Sequence, residues 1–485
     1  MPVKTPSQNP SSSGFRQIAV IAAASVLLAF GCPDGARGEA KPTNFVIIVA
    51  DDMGWDDCAP YGNRHVQTPN LSRLAKEGMV FEKAFLTCSS CSPSRASILT
   101  GRYPHATGAP ELHMPLPAEQ VTLSQLLRDA GYFTAAAGKW HLGPAAKSKF
   151  DMVREGGGAG SYADWLSLLR DRPQDKPFFL WLASSDPHRP YLPDAIHAPH
   201  KPAEVQVPPY LPDVPEVRQD LALYYDEIAR LDQNVGQVLD ELREQEVLDN
   251  TLVAFLSDNG RPFPRCKTRV LDSGVRTPLI VRMPGLVVPG SRSKSLVSTV
   301  DLAPTILELG GIAPHSAMQG TSLVPVLFNP LATVRQYAYS EHNWHDYMAY
   351  ERSIRCVRYR YVRNDVPEMP HTPPADAVRS ATFQAMQTLR EQGKLRPEQM
   401  SCFAQPSPEE ELYDTESDPH ELHNLAGDPT LRPVLEEMRR MLLIWQKYTE
   451  DFRPTPLSAD RYDRKTGLGL TVRKKTRKPS AQNEK

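Results

Sequence analysis

The run Asn44-Phe45-Val46-Ile47-Ile48-Val49-Ala50 is followed at once by Asp51-Asp52. Apolar, β-branched residues continue without the alternation of a half-exposed strand, so the segment must be covered on both faces, as the central strands of largely parallel sheets are. That requirement commits the chain to an α/β architecture. It also places two adjacent carboxylates at the C-terminal end of a buried strand, where open α/β sheets hold their ligands, and carboxylate oxygens suit Ca²⁺ or Mg²⁺. A bare Asp-Asp is more often a polar turn, so the reading needs support from other segments.

Three further apolar segments supply it. Tyr132 to Ala137 runs into Gly138-Lys139-Trp140-His141-Leu142-Gly143, Pro177 to Ser185 into Asp186-Pro187-His188-Arg189, and Thr251 to Leu256 into Ser257-Asp258-Asn259-Gly260. Lys139 and His141, two apart on an extended chain, project from one face. Asp258 and Asn259 join Asp51 and Asp52 as three carboxylates and an amide, a hard-ligand set that argues against zinc. Between the strands, helices are expected from the Thr68-Pro69 and Thr122 starts and from the amphipathic spacing of Leu221 to Leu242. A strand over Leu279–Arg282 and a helix over Asp301–Leu309 finish a large domain at residues 41–330. The fold expected is a large mixed, mainly parallel sheet flanked by helices. A smaller C-terminal α+β domain, residues 331–453, carries a short antiparallel sheet, with Ile354 to Val362 as one half-exposed strand and a helix near Leu431 to Tyr448. Residues 454–485 read as a polar tail whose basic run, Arg473 to Lys478, leaves contact with an anionic surface or membrane open.

Cys91-Ser92-Pro93-Ser94-Arg95-Ala96-Ser97-Ile98-Leu99-Thr100-Gly101-Arg102 places a cysteine at a helix N-terminus facing an arginine. This is a site for an anion. The alternatives are an ordinary buried or disulfide-linked cysteine, or a redox or metal pair in Cys88-x-x-Cys91. The net charge of −2 gives no global field to recruit nucleic acid, so anion binding must be local. Residues 1–40 read as a signal peptide. Lys4 and Arg16 precede the apolar stretch Ile18 to Phe30, and Gly38-Glu39-Ala40 offers a cleavage site. The protein is therefore expected to be exported, periplasmic or secreted. Phe30 spoils the lipoprotein box before Cys32, which disfavours lipid anchoring.

The Cys91 stretch, with Gly138 to Gly143, resembles the sulfatases of the alkaline-phosphatase-like superfamily. The likeness extends from about Asn44 to about Asp428. Within the family it reaches the heparan N-sulfatases (N-sulfoglucosamine sulfohydrolases) through Asp186 to Arg189, Asp258-Asn259-Gly260-Arg261-Pro262-Phe263-Pro264 and Glu411 to Glu421. The resemblance implies that a separate formylglycine-generating enzyme oxidises Cys91 to formylglycine, and that Ca²⁺, with Mg²⁺ as the alternative, is held by Asp51, Asp52, Cys91, Asp258 and Asn259. It further implies that Arg95, Lys139, His141, His188 and Lys267 surround the sulfate of a sulfated saccharide, and that His113, His342, His345 and Arg352 line the sugar pocket. Lys267 stands where the heparan N-sulfatases have arginine, which loses the planar fork. Three rivals are an O-sulfatase acting on another polysaccharide, a phosphoesterase or phosphonate hydrolase of the superfamily, and a catalytically silent sulfated-glycan-binding protein.

Overall fold

In the computed structural model the described residues are 41–470. The signal peptide, Cys32 and the Arg473–Lys478 run lie outside them. The first sheet has eight strands: β1 (Asn44–Ala50), β2 (Met79–Phe85), β3 (Phe133–Gly138), β4 (Met152–Arg154), β5 (Phe178–Ala183), β6 (Thr251–Ser257), β7 (Leu279–Arg282) and β8 (Ser291–Ser298). Their order is β4-β3-β5-β1-β6-β7-β2-β8. Every strand except β7 runs the same way, since β7 is antiparallel to both β6 and β2. β1 is central, parallel to β5 and β6, and buried along its whole length. The mixed sheet and the covered strand are what the unbroken apolar run requires.

Helices on both faces complete two cores. Residues 215–244 form one 30-residue helix whose apolar face packs on one side of the sheet. The Cys91–Thr100 and Leu302–Leu309 helices pack on the other. The Pro69–Glu77 helix begins where Thr68-Pro69 predicts, but Thr68 does not cap it. Its free N–H groups at Asn70 and Leu71 donate to Asp232 at 3.0 and 2.7 Å, while Thr68 Oγ1 accepts from Ala59. A carboxylate from the long helix thus performs the cap and ties two helices together.

The second sheet is antiparallel, in the order β12-β11-β10-β9. Its strands are β9 (Ala338–His342), β10 (Glu351–Arg355), β11 (Tyr359–Asn364) and β12 (Glu410–Asp414). The single strand expected over Ile354 to Val362 is a hairpin, with Ile354 paired to Tyr361 and Arg355 to Arg360. Charged and apolar residues intermix from Ile354 to Val362, and no Gly, Pro, Asn or Asp marks the turn at Val357-Arg358, so the pattern runs through the bend. The helix Arg432–Thr449 covers this sheet.

From Pro42 onward the chain forms one compact unit. Backbone and side-chain bonds join the sheets, from Glu341 N to the Thr87 carbonyl at 2.8 Å and from Ser340 Oγ to the Leu86 carbonyl at 2.6 Å. The stretch expected as the start of a free tail also packs inward. Trp344 Nε1 donates to the Ala459 carbonyl at 2.8 Å, Met348 N to Asp460 Oδ1 at 2.7 Å, and Arg461 lies over the Trp344 ring. Polar composition hid this, because the segment is held by side chains from residues more than 100 positions away. No helix of the described residues is long and apolar enough to cross a membrane.

Candidate active site

The C-terminal ends of β1, β3, β5 and β6 deliver Asp51-Asp52, Lys139-Trp140-His141, Asp186 to His188 and Asp258-Asn259 to one sheet edge. Backbone bonds set the spacing: Asp51 N donates to the Asp186 carbonyl, Lys139 N to that of Ala183, and Asp258 N to that of Ala50, at 2.9–3.1 Å. β2 runs parallel to these strands and feeds the Cys91–Thr100 helix, which is buried at every residue. Ser90 occupies the N-cap position without capping, because its Oγ bonds His345 Nδ1 at 2.8 Å. The helix N-terminus therefore keeps its positive end for an anion.

Close approach explains two glycines. A Cβ on Gly138, which has φ +95°, would lie 1.8 Å from the Ala183 carbonyl oxygen, and one on Gly260 would lie 2.0 Å from that of Ser273. Asp52, His113 and His141 adopt φ of 73°, 65° and 53°, a left-handed conformation uncommon for such residues. Strain of this kind collects where the surrounding structure holds functional groups in place.

Asp51, Asp52, Cys91 and Asp258 each offer a ligand atom within 4.8 Å of the others, and all are buried. Cys91 Sγ lies 3.6 Å from Asp51 Oδ1 and 3.8 Å from Asp52 Oδ1. Asn259 Nδ2 donates to Asp52 Oδ1, while its own Oδ1 is buried with no partner. That orphaned amide oxygen and three carboxylates are a donor set for a hard dication. Neighbouring cations answer the carboxylates: Arg95 Nε binds Asp258 Oδ2 at 2.7 Å, Lys267 Nζ binds Asp52 Oδ2 at 2.7 Å, and Lys139 Nζ pairs with Asp51. Burial would raise the Asp51 carboxyl, but Lys139, His188 and Arg95 outweigh it and hold Asp51 well below the usual range. Asp258 is pushed up to about 6 by burial, with Arg95 opposing and Asp51 adding to the rise. Burial also drives the Cys91 thiol well upward, so an unmodified Cys91 is no thiolate nucleophile. Cys88 and Cys91 are both free thiols, and Cys88 turns to the Ser90 carbonyl instead.

Cys91, His141, His188 and Lys267 open on one cavity of about 230 Å³. His141 is pushed down to about 2 by burial and by Lys139 and Arg95, so its ring is neutral; its Nε2 meets His113 Nδ1 at 2.7 Å. His188 Nδ1 donates to the Arg189 carbonyl, which aims Nε2 between Asp52 Oδ2 at 3.7 Å and Asp376 Oδ2 at 3.8 Å. Of the expected sugar-pocket residues, His113 and His345 line this cavity. His342 faces an adjoining small pocket beside Arg269, Glu351 and His371. Asp346, Asp376, Arg379 and Tyr462 line the catalytic cavity too. Asp346 and Tyr462 lie in irregular segments, and Asp376 and Arg379 in and at the end of the one-turn helix Ala375–Val378, so no periodicity or spacing could single them out.

Arg352 does not belong to the pocket. It is 1% exposed, paired through Nε and NH2 with Asp451 at 2.5 and 2.7 Å, and close to Glu341. On β10 the side chain falls on the face that packs against the Arg432–Thr449 helix, so strand parity sends it away from the sugar site. Arg352→Leu should lower stability by about 3–5 kcal/mol by stranding buried Asp451, with KM unchanged, as denaturation and steady-state kinetics would show. Burial raises the Asp451 carboxyl, but Arg352 overcomes this and holds it at about 2. Because the folded value lies below the unfolded one, the pair stabilises above about pH 4, and that stability fades as pH falls toward 2.

A sheet edge acidic enough to hold a hard dication, yet ringed by cations that fit an oxyanion, defines a hydrolase of anionic esters or amides. Residues 43–166 and 159–312 match the sulfatase family model, and residues 266–367 match that of the N-sulphoglucosamine sulphohydrolase C-terminal region. The human N-sulphoglucosamine sulphohydrolase is 36% identical over 469 residues, covering 85% of this chain and 91% of the relative. An ulvan-active sulfatase of Formosa agariphila is 33% identical over 455 residues, covering 83% and 74%. A solved structure in complex with its substrate D-glucosamine-2-N,6-O-disulfate superposes with a TM-score of 0.65 at 21% identity, over 85% of this chain and 99% of that one. The chain belongs to the sulfatase family, and it is an enzyme that hydrolyses sulfate esters or sulfamates.

Proposed function

We propose that the protein is an exported, formylglycine-dependent sulfatase of sulfated glycans, acting on N-sulfoglucosamine-type residues as a heparan N-sulfatase does. The observation that carries the chemistry is the position of Cys91: buried at a helix N-terminus, among three carboxylates, on the same cavity as His141, His188 and Lys267. Similarity to the human sulphohydrolase over most of both chains, together with the C-terminal match, supports the N-sulfated substrate. The ulvan-active relative favours a second reading, an O-sulfatase on another polysaccharide.

Asp51, Asp52, Asp258, Asn259 and the modified Cys91 would hold the metal, Ca²⁺ or Mg²⁺. When bound, the dication neutralises charge on the sulfate oxygens. Were Cys91 oxidised to formylglycine, its hydrate would offer one hydroxyl as nucleophile toward sulfur and a second through which sulfate could leave. Arg95, fixed by Asp258 and by a 3.1 Å bond from NH1 to the Lys139 carbonyl, holds a positive charge beside Cys91. Lys139 and Lys267 flank the sulfate and favour its equatorial oxygens as negative charge builds. His141, with a buried, unpartnered Nδ1, is the base that accepts the proton of the second hydroxyl as sulfate leaves. His188 donates from Nε2 to the departing amine or alkoxide.

Mass spectrometry of the Cys91 peptide, from protein made with a formylglycine-generating enzyme, should find the aldehyde. Sulfate release should then be greatest on N-sulfoglucosamine among N- and O-sulfated sugars. Cysteine alone in active protein would overturn the nucleophile, and a preference for an O-sulfated sugar would overturn the substrate.

A further inference from the structure

We infer that Asp376 makes the pocket selective for a nitrogen–sulfur bond over an oxygen–sulfur bond, accepting the hydrogen of the bridging N–H and then holding the ammonium product. The inference rests on the N-sulfated reading above and names the residue that would enforce it. Asp376 lines the same cavity as Cys91, and its Oδ2 is 3.8 Å from His188 Nε2, the atom assigned to the leaving group. That oxygen is buried and has no hydrogen-bond partner. The other, Oδ1, accepts only from the Ala377 N–H at 2.8 Å. Asp346, the second carboxylate on the wall, differs: its Oδ2 accepts from Ala375 N at 2.8 Å and so anchors the segment that carries Asp376. Asp376 thus holds an oxygen that faces His188 by charge alone and still lacks a hydrogen bond.

A carboxylate oxygen short of a donor is out of place beside the leaving-group position of an anion pocket, unless the substrate presents a donor there. The bridging oxygen of a sulfate ester carries only lone pairs, which a carboxylate repels. A sulfamate nitrogen carries a hydrogen, and the charge-assisted bond it makes is of the strong kind. The reaction increases the match. In R–NH–SO₃⁻ + H₂O → R–NH₃⁺ + SO₄²⁻ the S–N bond breaks with its electron pair on nitrogen, which takes one proton from His188 Nε2 and a second from solvent. A neutral or anionic leaving group becomes a cation beside Asp376, while sulfate stays beside Cys91.

The test compares formylglycine-bearing wild type with Asp376→Asn and Asp376→Ala on N-sulfoglucosamine and 4-nitrophenyl sulfate, alongside thermal denaturation and inhibition by glucosamine. We expect the ratio of kcat/KM for the sulfamate to that for the aryl sulfate to fall about 100-fold in Asp376→Asn, beyond any loss the two substrates share through His188. Glucosamine inhibition should weaken about tenfold, with inhibition by N-acetylglucosamine, which has no ammonium, unmoved. A parallel loss on both substrates, or an unchanged ratio between them, would overturn the role of Asp376 and leave the substrate reading standing. Wild type that cleaves the aryl sulfate but not N-sulfoglucosamine would overturn the substrate reading, and this inference with it.

Discussion

Replacing Cys91 with serine should cut turnover by about 10⁴-fold or more while leaving the thermal midpoint almost unchanged. The Sγ atom lies 3.6–3.8 Å from the Asp51 and Asp52 carboxylates, so a hydroxyl fits the same space and finds acceptors there. Nothing in the packing of the Cys91–Thr100 helix depends on sulfur. What serine lacks is the second hydroxyl: if sulfated, it has no group through which to expel sulfate, and the ester should accumulate. Intact-mass spectrometry after incubation with substrate, together with sulfate release, measures both effects. Turnover above about a tenth of wild type would show that the chemistry does not need a modified cysteine.

Removal of divalent cations should lower activity by about 100-fold or more, and Ca²⁺ should restore it. The physical reason is charge. Asp51, Asp52 and Asp258 carry three negative charges, and Arg95, Lys139 and Lys267 already offset them pairwise. Without a metal the cradle is close to neutral and has little surplus for a sulfate anion; a dication supplies that surplus. Binding to the folded state also stabilises it, by about 4 kcal/mol at a thousandfold excess over Kd, so chelation should lower the thermal midpoint. Asp258→Ala should abolish both responses to Ca²⁺. Full activity in chelator, checked by metal analysis of the protein, would contradict the assignment of these carboxylates.

Much of the site was legible because chemistry-bearing residues follow buried strands directly. A strand covered on both faces announces itself by composition, and its C-terminal end is then located to within two residues. Asp51-Asp52, Lys139, His141, His188, Asp258 and Asn259 all follow such ends, the likeness to the sulfatases singled them out as site residues, and the structure brings them to one edge with Cys91. The second sheet was less legible. Charged and apolar residues intermix through a hairpin with no turn residue, and one step of parity decides whether a side chain faces the sugar or the core. Arg352 therefore points to Asp451 rather than to substrate. The segment around Tyr462, read as tail, is held on the pocket by Trp344 and Asp346.

The sequence alone determined the α/β class, the strand ends, the start of the Cys91 helix and the carboxylates that follow each strand, because each depends on residues close together in the chain. Only the tertiary structure decided which loops close the sugar end, that Asp376 meets His188 and that Arg352 is buried. Those outcomes depend on packing between segments far apart in the chain, and local periodicity carries no record of it.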